Sequence, residues 1–134
     1  MIRYLLDTNI CIYISKRRPP TALHRLERLA VGDAAMSVVT YLELVYGAYN
    51  SSQVESNLAK IEALCRLIPV QPLDTAAGKH YGRLRTALRK SGRLIGAYDL
   101  LIAAHALALG LSLVTSNVRE FARVPGLRVE NWAE

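Results

Sequence analysis

An α/β domain built on a mainly parallel sheet is the fold class this sequence predicts, and three observations carry it. Short apolar runs alternate with helical patterns along the whole chain. The first of these runs, residues 2–6, stops at the polar Asp7-Thr8-Asn9, as a buried strand does on leaving a sheet. One helical segment, residues 99–109, is apolar on nearly every side, which places it centrally under cover. A length of 134 residues is one domain, 1–134, on the usual range of roughly 100–200 residues.

After the strand at 2–6, a helix is expected over 10–15, and Pro19-Pro20 separates it from a second over 21–29. Gly32-Asp33 marks a turn, 35–39 a second strand, and Thr40 opens a helix over 41–49. Residues 53–65 are amphipathic, with Leu58, Ile61, Leu64 and Cys65 at helical spacing. Pro69 limits 67–70 to a short or edge strand. Asp74 suits the N-cap of a helix over 75–90, which Ser91-Gly92 stops. Gly110 closes the buried helix; a strand over 111–114, a short helix over 116–123 and a last strand over 127–129 complete the chain.

With 51% hydrophobic and 21% charged residues, the chain is globular and not disordered. Its 17 Lys and Arg exceed its 11 Asp and Glu, giving a net charge of +6, so a polyanionic partner is expected. Cys11 and Cys65 are too few for a disulfide framework and lack zinc-ligand spacing, which suits a reducing, cytoplasmic setting. The first residues meet Asp7 too soon for a signal-peptide core. No apolar run reaches the ~18 residues of a membrane-spanning helix.

The acids are few, so their placement is informative. Asp7 follows the first strand directly, and Glu43 lies one turn into the helix after the second. Asp99 opens the buried helix, and Glu120 follows the strand ending at Val114. Ligands of open α/β sheets collect beyond the carboxyl ends of the strands, so this layout gathers the carboxylates at one edge. Their repulsion calls for a divalent cation, and oxygen donors suit Mg2+ or Mn2+ better than zinc. Each acid also has a plainer use. Asp7 can cap a helix, Thr40 and Glu43 match a capping box, Asp99 suits a helix N-terminus, and Glu120 can pair with Arg119 or Arg123. An acid after every core strand is more than capping requires.

Arg83, Arg85, Arg89, Lys90 and Arg93 form the densest cationic stretch and lead into the Asp99 turn; Lys16-Arg17-Arg18 form a second cluster near Asp7. A single arginine on a helix is an ordinary solvated residue, but clusters flanking the acids suit a phosphodiester substrate. Arg85, Arg89 and Arg93 are the candidate RNA contacts. Tyr41, Tyr46, Tyr49, Tyr81 and Tyr98 could stack on unpaired bases, although half-buried packing explains the same spacing. His105 reads as a core histidine, and residues 92–96 lack both common Gly-rich phosphate-loop patterns.

Leu5-Leu6-Asp7-Thr8-Asn9, residues 37–47 around Glu43, 95–106 around Asp99 and 113–121 around Asn117 and Glu120 resemble the signature blocks of PIN-domain ribonucleases. The likeness is greatest to the VapC toxins of bacterial toxin–antitoxin modules and runs from end to end. It implies a three-layer α/β/α sandwich with a central, mainly parallel sheet and a Mg2+-dependent endoribonuclease, with Mn2+ an alternative ion. A structured RNA such as a tRNA anticodon stem-loop, inhibition by a VapB-type antitoxin and a homodimer are further implications. By position, Asp7, Glu43 and Asp99 match the family's acidic triad, with Asp7 and Asp99 as direct metal ligands. Family members place a fourth acid at the position of Asn117 or of Glu120. Asn at 117 leaves that role to Glu120, with Thr8, Asn9, Thr115 and Asn117 as supporting polar groups. Leu94 stands where many relatives have proline.

Metal-dependent hydrolysis of RNA is therefore the expected function. The rival is an RNA-binding or scaffold protein whose acids only cap helices, which EDTA would leave unaffected. A phosphoaspartate enzyme is disfavoured because Asn9 stands where its motif wants a second aspartate. The 53–65 helix and the first two helices could form a groove for an antitoxin segment, although core packing explains the same apolar stripes.

Overall fold

The computed structural model describes residues 1–134. Strand β1 (Tyr4–Leu6) leads into α1 (Thr8–Lys16) and α2 (Pro20–Glu27), and β2 (Ala34–Ser37) leads into α3 (Val38–Tyr49) and α4 (Val54–Leu67). There follow β3 (Val70–Gln71), α5 (Thr75–Lys90), α6 (Ala97–Leu109), β4 (Ser112–Val114), α7 (Val118–Phe121) and β5 (Val129–Glu130). The five strands run parallel in the order β3-β2-β1-β4-β5. The chain thus builds outward from β1 twice, which puts the topological switch point between β1 and β4. No helix is long and apolar enough to cross a membrane.

Successive strand residues face opposite sides of the sheet. Leu5 and Leu113 join a core with Leu84 and Leu88 of α5 and Leu100 and Ala103 of α6. Leu6, Met36 and Val114 join the opposite core, with Ile10 and Ile14 of α1, Ala22 of α2 and Leu64 of α4. The architecture is therefore the expected α/β/α sandwich. Strands covered on both faces read as continuous apolar runs, which is why they were visible in the sequence. Trp132 closes the second core, edge-on to Tyr4 at 5.2 Å, with its Nε1 donating to Glu130 Oε1 at 3.2 Å.

Several boundaries differ from expectation: α4 runs on through Leu67, which leaves β3 only Val70–Gln71 of the strand expected over 67–70, and two other shifts bear on the site. The second strand ends at Ser37, not at 39, and α3 starts at Val38. Ser37 Oγ caps that helix by accepting from the Val39 amide at 3.1 Å. The β-branched pair Val38-Val39 suggests a strand locally, but the cap overrides that preference. The buried helix starts at Ala97, so Asp99 lies in its first turn and Gly96 is the N-cap. Pro69, just ahead of β3, behaves as its chemistry requires: it has no N–H to give, and its carbonyl accepts from the Met36 amide at 2.9 Å.

Candidate active site

The β1 register pairs Leu6 with Met36 on one side and with Val114 on the other, so Asp7, Ser37 and Thr115 are the next residues along three adjacent segments. The Asp7 amide donates to the Val114 carbonyl at 2.9 Å, continuing the ladder past the last paired residues. Asp7 is buried, with its side chain 4% of the way to full exposure counted as a residue. Its Oδ1 accepts from the Ile10 amide at 3.0 Å, which caps α1, and its Oδ2 accepts from Thr115 Oγ1. Burial raises the Asp7 carboxyl above its ordinary range; the Thr115 and Ile10 hydrogen bonds pull the other way. Capping and site placement are thus one arrangement, each carboxylate oxygen having its own task.

Glu43 does not form the expected capping box. Ser37 has taken the cap, and Thr40 is a buried residue inside α3. Glu43 Oε1 instead accepts from Thr8 Oγ1 at 2.7 Å, across to the first turn of α1. Glu120 likewise does not pair with Arg119 or Arg123. Its Oε1 accepts from the Gly96 amide at 3.1 Å, and its Oε2 from Asn117 Nδ2 at 2.6 Å. Asn117 therefore stands behind Glu120 and steers it, while the Asn117 amide donates to Thr115 Oγ1 at 2.9 Å. Asn9 is exposed and makes no side-chain hydrogen bond to the acids.

Asp99 binds these groups together electrostatically. Its carboxyl is pushed up to about 7, first by burial, then by the charge of Glu120 and a hydrogen bond shared with it, then by Asp7 and Glu43. Four acids thus bear on one spot at the switch point. As they stand, each leans on its own neighbours, and no three are drawn tightly enough to grip an ion. The donor set is all oxygen, and the upward push on the Asp99 carboxyl, from burial and then from the neighbouring acids, marks a place short of positive charge. Both features fit a hard divalent cation, which would offset the negative charge the carboxylates bring together.

Three contributors are not legible in local sequence. Gly96 supplies an amide to Glu120, and a Cβ there would stand 3.8 Å from Asp99 Oδ2 and 3.9 Å from Glu120 Oε1. Thr8 orients Glu43, when the Asp-Thr-Asn motif alone suggested only a polar support. His105, a core histidine as expected, has Nδ1 at 2.8 Å from Ser37 Oγ and so ties α6 to the start of α3. Of the predicted cations, Arg85 donates to Tyr81 Oη at 2.8 Å on its own helix, and Arg93 lies apart from it in the turn beyond α5. Beside Thr8 and Glu43, a groove of about 660 Å3 runs between α1, α3 and α4, with Lys16, Arg18 and Lys60 among its lining residues. No α2 residue lines it, contrary to the expected groove between the first two helices and α4.

Residues 4–127 match the PIN domain family model. The chain is 45% identical over 133 residues to the tRNA(fMet)-specific endonuclease VapC of Shigella flexneri, covering 99% of this chain and 100% of the relative. It is 45% identical over 132 residues to Ribonuclease VapC2 of Haemophilus influenzae, covering 98% and 99%. Among solved structures, DNA-bound VapBC from Salmonella typhimurium superposes with a TM-score of 0.92 at 41% identity, covering 98% of this chain and 99% of that one.

Proposed function

The chain belongs to the PIN-domain family, and from that premise we propose that it is the toxin ribonuclease of a VapBC-type toxin–antitoxin module, a metal-dependent RNA hydrolase held in check by a VapB-type antitoxin. The full-length match to relatives named as VapC ribonucleases carries the ribonuclease reading. Initiator tRNA is the substrate this reading favours, because the Shigella flexneri relative is named as specific for tRNA(fMet).

Asp7 and Asp99 would hold a Mg2+ or Mn2+ ion, with Glu43 and Glu120 beside them. Such an ion, when bound, lowers the pKa of its water and neutralises charge on phosphoryl oxygens. The support is the mutual pressure of the carboxylates, which leaves Asp99 in need of a counter-charge. Thr115 keeps Asp7 in place, Thr8 turns Glu43, and Asn117 and the Gly96 amide turn Glu120. The protein's own work is to hold four anions together on a rigid sheet edge, so that little reorganisation is needed when substrate arrives.

An antitoxin segment occupying the groove beside Glu43 would block the approach to the carboxylates, and Ile12, Leu44 and Ile61 give it apolar footing. Exposed Leu42, Tyr46 and Tyr49 lie on one face of α3 and suit burial in a homodimer. Function in the cytoplasm, where tRNA is found, belongs to the same reading. The test is a cleavage panel on initiator tRNA with Mg2+, Mn2+ or EDTA, comparing wild type with Asp7→Asn. Cleavage by wild type in either metal, silenced by EDTA and absent in the variant, is expected. Cleavage that persists in EDTA would overturn the metal assignment, and a wild type inert on all RNA would overturn the enzyme.

A further inference from the structure

Arg93, Arg119 and Arg123 line a pocket of about 340 Å3, and Gly92 is its remaining wall. The sequence marks Arg93 as a candidate RNA contact but groups it with Arg85 and Arg89; the fold sets it instead beside Arg119 of α7 and Arg123 just past that helix. None of the three is paired with a carboxylate; the salt bridge of this protein joins Arg25 to Glu130. Arg123 Nη1 is anchored on the Leu94 carbonyl at 3.1 Å, which fixes one guanidinium at the rim. Gly92 adopts φ +70, a left-handed conformation that turns the chain into the pocket wall and disfavours any side chain there. Three like charges facing one space repel one another, and an anion between them turns that cost into attraction.

The pocket is built on two chain segments that also supply the carboxylate site. Glu120 sits between Arg119 and Arg123 in sequence, yet both its oxygens are engaged by Gly96 and Asn117 on the acidic side. The loop that supplies Gly92 and Arg93 goes on to supply Gly96 and Asp99. One pair of segments therefore carries both the acids and the guanidinium groups. A polyanion approaching four carboxylates is repelled unless a neighbouring cationic site holds it, and this pocket is placed to do so.

We propose that the Arg93–Arg119–Arg123 pocket is a backbone-phosphate subsite, which takes an RNA phosphodiester adjoining the scissile one and sets the register of the strand on the carboxylates. The inference rests on the ribonuclease reading above. Guanidinium forks match two phosphate oxygens at once. The absence of any apolar lining residue favours a phosphate over an acidic peptide, which would bring an apolar anchor with it.

The experiment uses full-length protein carrying Asp7→Asn, so that RNA is bound and not cut, with and without Arg93→Gln plus Arg119→Gln. Arg123 is left intact because it holds the loop before Asp99. Fluorescently labelled initiator tRNA is titrated at several salt concentrations. Losing the hold on this one phosphate should weaken binding about tenfold or more and lower the salt slope by about 0.7–0.9. In the cleaving background, the same double substitution should raise KM and leave the cut position less sharply defined. An unchanged salt slope and affinity would overturn the subsite even if wild type cleaves RNA normally, which separates its failure from failure of the ribonuclease reading. Retained RNA affinity with lost antitoxin inhibition would overturn it in favour of an acidic protein segment.

Discussion

Thr8 Oγ1 donates a 2.7 Å hydrogen bond to Glu43 Oε1, so the first residue of α1 aims the carboxylate carried by α3. Thr8→Val keeps the shape and removes the donor. Metal-dependent cleavage should fall roughly 10–100-fold, the usual loss when a group that orients a metal-site carboxylate is removed. Thr8→Ser should restore most of it. The check is a Mg2+ titration of the cleavage rate; full activity in Thr8→Val would show that Glu43 needs no such steering.

Asp7→Asn separates the two tasks of Asp7. Asparagine caps helices about as well as aspartate, and its carbonyl can still accept from the Ile10 amide. The variant should fold, give a wild-type circular dichroism spectrum and show no metal-dependent cleavage. Mg2+ should also stop raising its melting temperature, since binding to the folded state alone is what produces that rise. Undiminished stabilisation by Mg2+ would place the ion elsewhere.

Asp99 predicts a pH signature in metal-free protein. Its ordinary value is 3.8 and its folded value about 7, so between these pH values the folded state holds a proton that the unfolded state has released. Its contribution to stability is therefore full below about pH 4 and is lost as pH rises through about 7. His105 runs the opposite way, because burial lowers its pKa and acid therefore favours the unfolded chain. Comparing wild type with Asp99→Asn cancels the histidine. Urea denaturation should show the substitution most stabilising, relative to wild type, at pH 8 and progressively less so toward pH 4. A pH-independent difference would mean that Asp99 is not under pressure.

The carboxyl-terminal residues are structural. Trp132 is 1% exposed and packs edge-on to Tyr4 at 5.2 Å. Trp132→Ala should cost about 3–5 kcal/mol in urea unfolding, the range for deleting a large buried aromatic. Arg25→Ala, which removes an exposed ion pair to Glu130, should cost less than about 1 kcal/mol. Similar losses for the two would contradict the packing described.

The strands, the helix order and the four acids were readable because each depends on a local pattern: a doubly covered strand is a continuous apolar run, and an acid directly after it lies at the sheet edge. The partners of those acids were not. Thr40 and Glu43 have capping-box spacing, and only the docking of α1 beside α3 shows that Thr8, 35 positions away, is the true partner of Glu43. Glu120 has arginines on either side of it in the helical neighbourhood, yet it turns to a backbone amide 24 positions away. Long-range pairing leaves no periodic trace, so the acids could be found in the sequence while the groups that aim them could not.

The hydrogen bond from Thr115 to Asp7 spans 108 positions, and β4 must pair with β1 before it can form. Asp7 and Glu43 lie on the β1–β2 side of the switch point, whereas Glu120 follows β4 on the other. Any partly folded state in which β4 has not joined β1 therefore lacks the complete acid set. Nuclease geometry is thus a property of the closed sheet and of no single segment within it.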